Sequence, residues 1–357
     1  FLSNKFKVIP QYLKEVGYNT YHIGKWHISK NPMDFGFDVN IGGSDAGFPK
    51  SYFPPYKNVD VEGSGAAYLT DVLAEKAVTL MTASKEPFFM YYATYAVHLP
   101  INPIPELVPK YLKRESKLGQ TNAKYASMVE NLDKNIGLLI KGLEDAGKFE
   151  NTIIIFTSDN GGLYGITSQK PLRSGKGSYY EGGIKVPFFL VWQNKISKNT
   201  RSDFPISNLD ILPTILSLTS NGNKKNIVDG ADLSSLLLHR KNQIERPLFW
   251  HFPIYLQSKK WKGFVNENRD PLFRTRPGSA VRLGDWKLIY YYENDDLELF
   301  NLKDDVSETE NIATLYPAKA LELTRILKKW CLQTGAPIPK ELNKKFNFKS
   351  DKNIQKL

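Results

Sequence analysis

Cysteine occurs once in 357 residues, at Cys331, so an internal disulfide and a multi-cysteine metal centre are excluded and the fold must stand on core packing. Histidine is nearly as scarce, with five in the chain. No apolar run approaches the length of a membrane-spanning helix, which argues against a membrane protein of helical type. The chain opens at Phe1 without an initiating methionine, so its start reads as truncated or processed and no signal peptide can be looked for. Internal repeats and low-complexity segments are also absent. What is present is ample core material, 41% hydrophobic and 13% aromatic, enough for one large domain or two unequal ones. The formal net charge of +11 favours an anionic partner, a description met equally by nucleic acid, anionic polysaccharide and acidic membrane surfaces. Part of that excess is a tail, because residues 328 to 357 hold eight lysines against Glu341 and Asp351.

Ile9, Leu13 and Val16 repeat at helical spacing up to Gly17, and Tyr18 to Ile23 then has the β-rich character of a strand. Leu69, Val72, Leu73, Ala77 and Leu80 form a second amphipathic set, followed after Pro87 by the apolar run Phe88 to Tyr95. Met128, Val129, Leu132, Ile136, Leu139 and Leu143 form a third, closed by Gly147 and followed by Thr152 to Thr157. A further strand is expected at Val186 to Trp192. Helices alternating with continuous apolar strands predict an α/β domain built on a mostly parallel sheet flanked by helices. Beyond about Leu238 the texture changes to short aromatic strands, Ala280 to Tyr292 and Leu297 to Leu302, across the turn-like segment 293–296. These predict a smaller C-terminal subdomain with an antiparallel sheet, completed by a helix over about Pro317 to Trp330.

In open α/β sheets ligands gather beyond the carboxyl ends of the strands, and the loops there carry the reactive side chains. The strand from Tyr18 ends in Gly24-Lys25-Trp26-His27, a cation and an imidazole suited to an oxyanion. Taken alone, the tetrapeptide reads equally well as a surface lysine beside a packed tryptophan. The strand ending at Thr157 runs into Ser158-Asp159-Asn160-Gly161-Gly162, whose Asp159 and Asn160 oxygens are hard ligands suited to Ca²⁺ or Mg²⁺, although Asn-Gly-Gly is also ordinary turn chemistry. Lys176 lies among glycines ahead of Glu181-Gly182-Gly183, and His98 follows the strand that starts at Phe88. Separate post-strand loops offering Lys25, His27, His98, Asp159, Asn160 and Lys176 point to one anion-binding cleft.

These residues resemble the type I sulfatases of the alkaline-phosphatase-like superfamily. Gly17-Tyr18-Asn19-Thr20 leading to Gly24-Lys25-Trp26-His27 looks like the second signature of that family. Thr157 to Gly162 is similar to its metal-binding segment, Leu172 to Pro187 to its lysine and Glu-Gly-Gly segment, and Asn208 to Leu218 to the helix that follows. Ala280 to Leu288 and Glu298 to Asn311 resemble its C-terminal subdomain, so the likeness runs from about Val8 to Ala313 in the family's order. The resemblance implies Ca²⁺ on Asp159 and Asn160, with Mg²⁺ as the alternative. It implies that Lys25 and Lys176 contact sulfate oxygens, that His98 assists the leaving alkoxide and that His27 acts on the nucleophile. It also implies a boundary plan: 1–238 as the catalytic domain, 239–335 as the C-terminal subdomain and 336–357 as a lysine-rich tail.

The family's nucleophile is a formylglycine made from Cys or Ser in Cys/Ser-x-Pro-x-Arg, and no serine here, nor Cys331, is followed two positions on by proline. The expectation is that the first strand, the nucleophile helix and an upstream Asp pair are missing, leaving residues 1–357 inactive and poorly stable by themselves. Trp250-His251-Phe252-Pro253 and Arg274-Thr275-Arg276-Pro277 stand out as aromatic and cationic segments suited to a sulfated sugar, with His251, Arg274 and Arg276 as candidate contacts; His251 reads equally as a histidine buried under the hairpin. The expected substrate is a sulfated carbohydrate or aryl sulfate, with neither nucleic acid nor membrane as partner and a periplasmic or secreted bacterial location. The oligomeric state is left open. The rival readings are a phosphoryl hydrolase or transferase of the same superfamily, and a non-catalytic polyanion-binding relative.

Overall fold

The computed structural model describes residues 5–63, 65–219, 229–238, 245–257, 269 and 273–341. Helix α1 (Ile9–Lys14) turns through Gly17 into strand β1 (Asn19–Gly24), followed by β2 (Val39–Ile41), α2 (Leu69–Ala83), β3 (Phe88–Ala93), α3 (Val108–Leu112) and α4 (Ala123–Asp145). Then come β4 (Ile154–Thr157), α5 (Glu181–Ile184), β5 (Phe188–Val191), α6 (Ile211–Thr219) and α7 (Ser234–Leu237). β1 is the middle of a three-stranded parallel sheet in the order β2-β1-β3. Its residues from Thr20 to Gly24 are all buried, as a parallel strand covered on both faces requires.

Helix α2 turns Leu69, Leu73, Ala77 and Met81 inward at a spacing of four, and α4 packs along it. Leu69 and Leu73 are wholly buried in a core with Ile23, Tyr52, Tyr95 and Met128, and burying each such leucine contributes about 1.5–3 kcal/mol. Between the helices, Asn131 and Asn135 donate to Asp71 Oδ1 at 2.8 and 2.6 Å, satisfying polar groups that burial would otherwise penalise.

β4 departs from the expected sheet, since among the described residues it pairs only with β5, in antiparallel sense. The connection from β4 to β5, residues 158–187, is long enough for a parallel crossover, but it contains only the single turn of α5 and no crossover helix, and the strands pair antiparallel. The apolar runs expected to be buried are also partly open: Tyr91 of β3, Phe156 of β4 and Phe189 and Val191 of β5 are exposed. Among the described residues β3 is an edge strand and the β4–β5 pair has two edges, so each run keeps an uncovered face.

The C-terminal part contains β6 (Leu248–Phe252), β7 (Leu256–Gln257), β8 (Phe273–Thr275), β9 (Gly278–Leu283), β10 (Trp286–Tyr291), β11 (Asp296–Asn301) and α8 (Pro317–Thr334). Four of these strands form an antiparallel sheet in the order β11-β10-β9-β6, and β7 pairs with β8. The single strand expected from Ala280 to Tyr292 is two, folded back at Gly284 and Asp285; the apolar run continues across both strands and hides the turn. Leu323, Leu327 and Cys331 of α8 cover one sheet face. The other receives Tyr179 and Tyr180, which precede α5, so two residues of the first 238 belong to the C-terminal core. α8 runs four residues beyond Trp330 and ends at Gly335 in the left-handed region. Of the lysine-rich tail, residues 342–357 lie outside the described residues, as do 239–244 at the expected boundary. No described helix is long and apolar enough to cross a membrane.

Candidate active site

The loops beyond β1, β3 and β4 meet, joined by the Lys176 loop. After β1, Lys25 N–H donates to Ala93 O at the end of β3 (2.6 Å), and the buried His22 ring on β1 bonds the Lys25 carbonyl through Nε2 (3.2 Å). His22 thus holds the backbone that presents the Lys25 ammonium, a role that its place inside a strand gave no reason to assign. His27 adopts a left-handed φ of 62°, donates its N–H to Ser44 O (2.8 Å) and packs its ring on Gly47, where an added Cβ would lie 2.7 Å from Cε1. After β3, Tyr52 OH reaches the carbonyls of Tyr95 (2.7 Å) and His98 (3.0 Å), while Phe48 stacks on the His98 ring.

After β4, Asn160 N–H donates to Asp159 Oδ1 (2.9 Å) and the Asn160 side-chain amide donates to Gly161 O (2.9 Å). Gly161 N–H then donates to Gly183 O of α5 (2.9 Å) and Lys176 N–H to Gly162 O (2.9 Å), so the loop after β4 touches both α5 and the Lys176 loop backbone to backbone. The contact needs glycine, since a Cβ on Gly161 would stand 1.8 Å from Gly182 O.

Burial and mutual charge act together on these groups. Burial lowers the Lys25 pKa, Asp159 raises it and Lys176 lowers it, so the three charges share one field. Burial also lowers His98; its bond to Leu99 O opposes that, Lys176 and Lys25 lower it further, and Asp159 raises it. Tyr91 on β3, not singled out by the sequence and only partly shielded from solvent, is raised by that shielding and again by Asp159. Lys25 and Lys176 carry no ion pair among the described residues, whereas Lys14, Lys110 and Lys287 all face carboxylates. Two unpaired ammonium groups flanked by an imidazole make a cradle for an oxyanion.

The Lys176 loop is anchored from the C-terminal sheet. Arg173 donates to Glu308 O (2.7 Å), Ser307 Oγ to Pro171 O (2.6 Å) and Glu181 N–H to Glu308 Oε2 (2.6 Å). Wholly buried Lys287 on β10 pairs with Glu181 (3.0 Å) and Glu308 (2.8 Å), and Arg282 adds a contact to Glu181 at 3.3 Å. Burial pushes the Glu181 carboxyl up, but Lys287 and Arg282 more than reverse this; for Glu308 burial wins over Lys287 and its pKa is raised. None of Arg282, Lys287 and Glu308 was a candidate, because the partners meet only through the fold.

The remaining candidates lie in the C-terminal part. His251 on β6 has both ring nitrogens engaged, Nδ1 with Ser279 Oγ (2.7 Å) and Nε2 with Pro337 O (3.1 Å), so it is tied into the sheet and α8 rather than held out for a sugar hydroxyl. Arg276 pairs with Glu293 at 2.7 Å. Arg274 on β8 lies over the Lys176 loop, its Cδ 3.2 Å from where a Gly177 Cβ would be. Asp159 and Asn160 offer hard oxygen donors, but Ca²⁺ takes roughly six to eight. No group of three or more His, Cys, Asp or Glu side chains suited to a metal forms among the described residues, so Asp159 and Asn160 do not by themselves complete such a site.

Comparison with known proteins decides the family. The family model described as Sulfatase matches residues 1–221, more than half of the chain. The chain belongs to the sulfatase family. A second model, described as N-sulphoglucosamine sulphohydrolase, C-terminal, matches residues 175–334, so the two overlap on the segment holding Lys176 and Glu181. A sulfatase of Formosa agariphila is 32% identical over 82% of this chain and 56% of its own length. Mouse N-acetylgalactosamine-6-sulfatase is 27% identical over 70% of this chain and 52% of its own. The chain thus spans about half the length of these curated relatives. Among solved structures, Ps i-CgsB in complex with k-i-k-neocarrahexaose superposes with a TM-score of 0.75 at 27% identity, covering 95% of this chain and 76% of that one. The sulfatase fold accounts for both layers, the parallel sheet with its helices and the C-terminal antiparallel sheet with α8.

Proposed function

We propose that this sulfatase-family chain is the larger part of an enzyme that hydrolyses sulfate esters of a carbohydrate, aryl sulfates being the simpler alternative. The shared field of Lys25, Lys176, His98 and Asp159, with both lysines unpaired, carries the reading. Lys25 and Lys176 would bind the sulfate oxygens and offset charge as the sulfuryl group leaves. His98 Nδ1 must donate to the Leu99 carbonyl, so in the neutral ring Nε2 bears the lone pair; a bound anion favours its protonation, and it can then pass that proton to the leaving alkoxide. His27 would act on a nucleophile that residues 1–357 do not supply in the family's motif; that nucleophile, a formylglycine, would lie upstream, together with further ligands for a Ca²⁺ begun by Asp159 and Asn160. The exposed faces of Tyr91, Phe156, Phe189 and Val191 support an additional covering element. Two relatives support a carbohydrate: the structure solved with k-i-k-neocarrahexaose and the one named N-acetylgalactosamine-6-sulfatase. A periplasmic or secreted location suits such a substrate.

The test is hydrolysis of matched sulfate and phosphate monoesters by the protein expressed with its upstream coding sequence. Sulfate ester turnover well above phosphate is the expected result. Preference for phosphate would move the chain to a phosphoryl-transfer reading, and binding without turnover to a non-catalytic one.

A further inference from the structure

Among the partly buried arginines described in the C-terminal part Arg274 is the exception, the exposed Arg325 of α8 being a further arginine without an ion pair. Arg269 pairs with Asp296, Arg276 with Glu293, Arg282 with Glu181, and Arg246 with Asp210. Arg274 has no such carboxylate among the described residues, although it sits on a hairpin pressed against the rest of the protein. The contact is close. Gly177 has a φ of 91°, and a Cβ added there would stand 2.5 Å from Leu256 Cδ2 and 3.2 Å from Arg274 Cδ, so β7 and β8 both rest on the residue next to Lys176. Burial lowers the Arg274 pKa and no anion compensates, so the guanidinium bears a desolvation cost that the protein leaves unrelieved. Asp159 and Lys176 are the charges that act on Lys25, whereas Arg274 stands beside the cradle, its stem against Gly177, the neighbour of Lys176.

A guanidinium presents a planar fork that matches an oxyanion in bidentate fashion. The geometry points to Arg274 as the determinant that reads a second oxyanion on the substrate, a sulfate or a carboxylate beside the ester held by Lys25 and Lys176. The substrate class is thereby narrowed to saccharides carrying at least two anionic groups close together. This inference rests on the sulfatase reading of the Lys25–Lys176 cradle and deepens it.

Calorimetric titration of the protein expressed with its upstream coding sequence, its nucleophile residue replaced so that it binds without turnover, tests it with three ligands. These are a disaccharide with one sulfate, the same disaccharide with two, and the same with one sulfate and one uronate carboxylate. The chain should favour one or both dianionic ligands about ten- to a hundred-fold, the span of one charge-assisted bidentate contact. Which of them it favours names the second group. Arg274→Met keeps the stem that packs on Gly177 and should bring the ratio to about one. Arg274→Lys keeps the charge without the fork and should leave an intermediate ratio. A ratio near one with Arg274 in place, a ratio unchanged in Arg274→Met, or binding of none of the three overturns the proposal. Lys176→Ala is read separately: if it leaves the affinity for the monosulfated ligand intact, the cradle fails, whatever the Arg274 ratios show.

Discussion

Lys176 and Lys287 belong to one connected structure and live by opposite rules. Lys287 is wholly buried on β10 and enclosed by Glu181 and Glu308, so its charge is spent inside the fold. Lys176 sits on a glycine-rich loop two hydrogen bonds away from that network and shares its field with another cation, Lys25. The C-terminal sheet satisfies its charges to fix a shape. The loops beyond β1, β3 and β4 leave theirs unsatisfied, which costs stability and creates affinity for an anion.

The largest effect expected from breaking that contrast is on stability. Lys287→Ala strands the buried Glu308 carboxylate and leaves Glu181 with Arg282 as its remaining cation, and removing one partner of a buried ion pair costs about 3–5 kcal/mol, measurable as a lower midpoint in urea. Replacing Lys287, Glu181 and Glu308 together by apolar residues of similar volume should recover most of that loss. If Lys287→Ala unfolds at the native midpoint, the network does not anchor the Lys176 loop. Lys176→Ala should do the reverse. Stability should change by less than about 0.5 kcal/mol, as at most surface sites, while sulfate ester hydrolysis by the intact enzyme falls about 10²- to 10³-fold, as for loss of one oxyanion donor.

Much of the open region was legible in the sequence because strand ends announce themselves. Gly24-Lys25-Trp26-His27 and Ser158-Asp159-Asn160 follow apolar runs, and the topology brings such loop ends together. The closed region was not. Nothing in Trp286-Lys287-Leu288 distinguishes a buried lysine from a solvated one, since its partner Glu181 lies 106 positions away. Arg274 and Arg276 look alike in sequence, and only the fold gives Glu293 to one and leaves the other on Gly177. His251 stood open between a sugar contact and a histidine under the hairpin, and only the fold shows its ring bonded to a carbonyl 86 positions distant. The antiparallel β4–β5 pair was missed because periodicity reports burial and says nothing of strand direction.

The pH profile sharpens the comparison further. His98 titrates below its ordinary value near 6.5, through burial first and then the lysine charges that its bond to Leu99 O and Asp159 oppose, so it is mostly neutral at pH 7. If it supplies a proton to the leaving group, kcat/KM of the intact enzyme is level below that pKa and falls about tenfold per pH unit above it. Lys176→Ala removes one positive neighbour and should move the falling limb upward in pH; a limb that stays put would separate Lys176 from His98.

The smallest effect concerns metal. Asp159 and Asn160 provide two side-chain donors, and Asp159 Oδ1 already accepts the Asn160 N–H. Sites with far more oxygens, such as extracellular calcium modules, reach dissociation constants of about 10⁻⁴ to 10⁻³ M, so a two-ligand site should be weaker still. At 1 mM Ca²⁺ and a dissociation constant of about 1 mM, binding would stabilise the chain by only about 0.4 kcal/mol, a melting shift of about 1 °C. Melting chain 1–357 with and without 1 mM CaCl₂ measures this directly. A rise of several degrees, reversed by chelator, would mean that groups beyond Asp159 and Asn160 already close a coordination shell, and the open side of the comparison would then be more complete than its unpaired charges indicate.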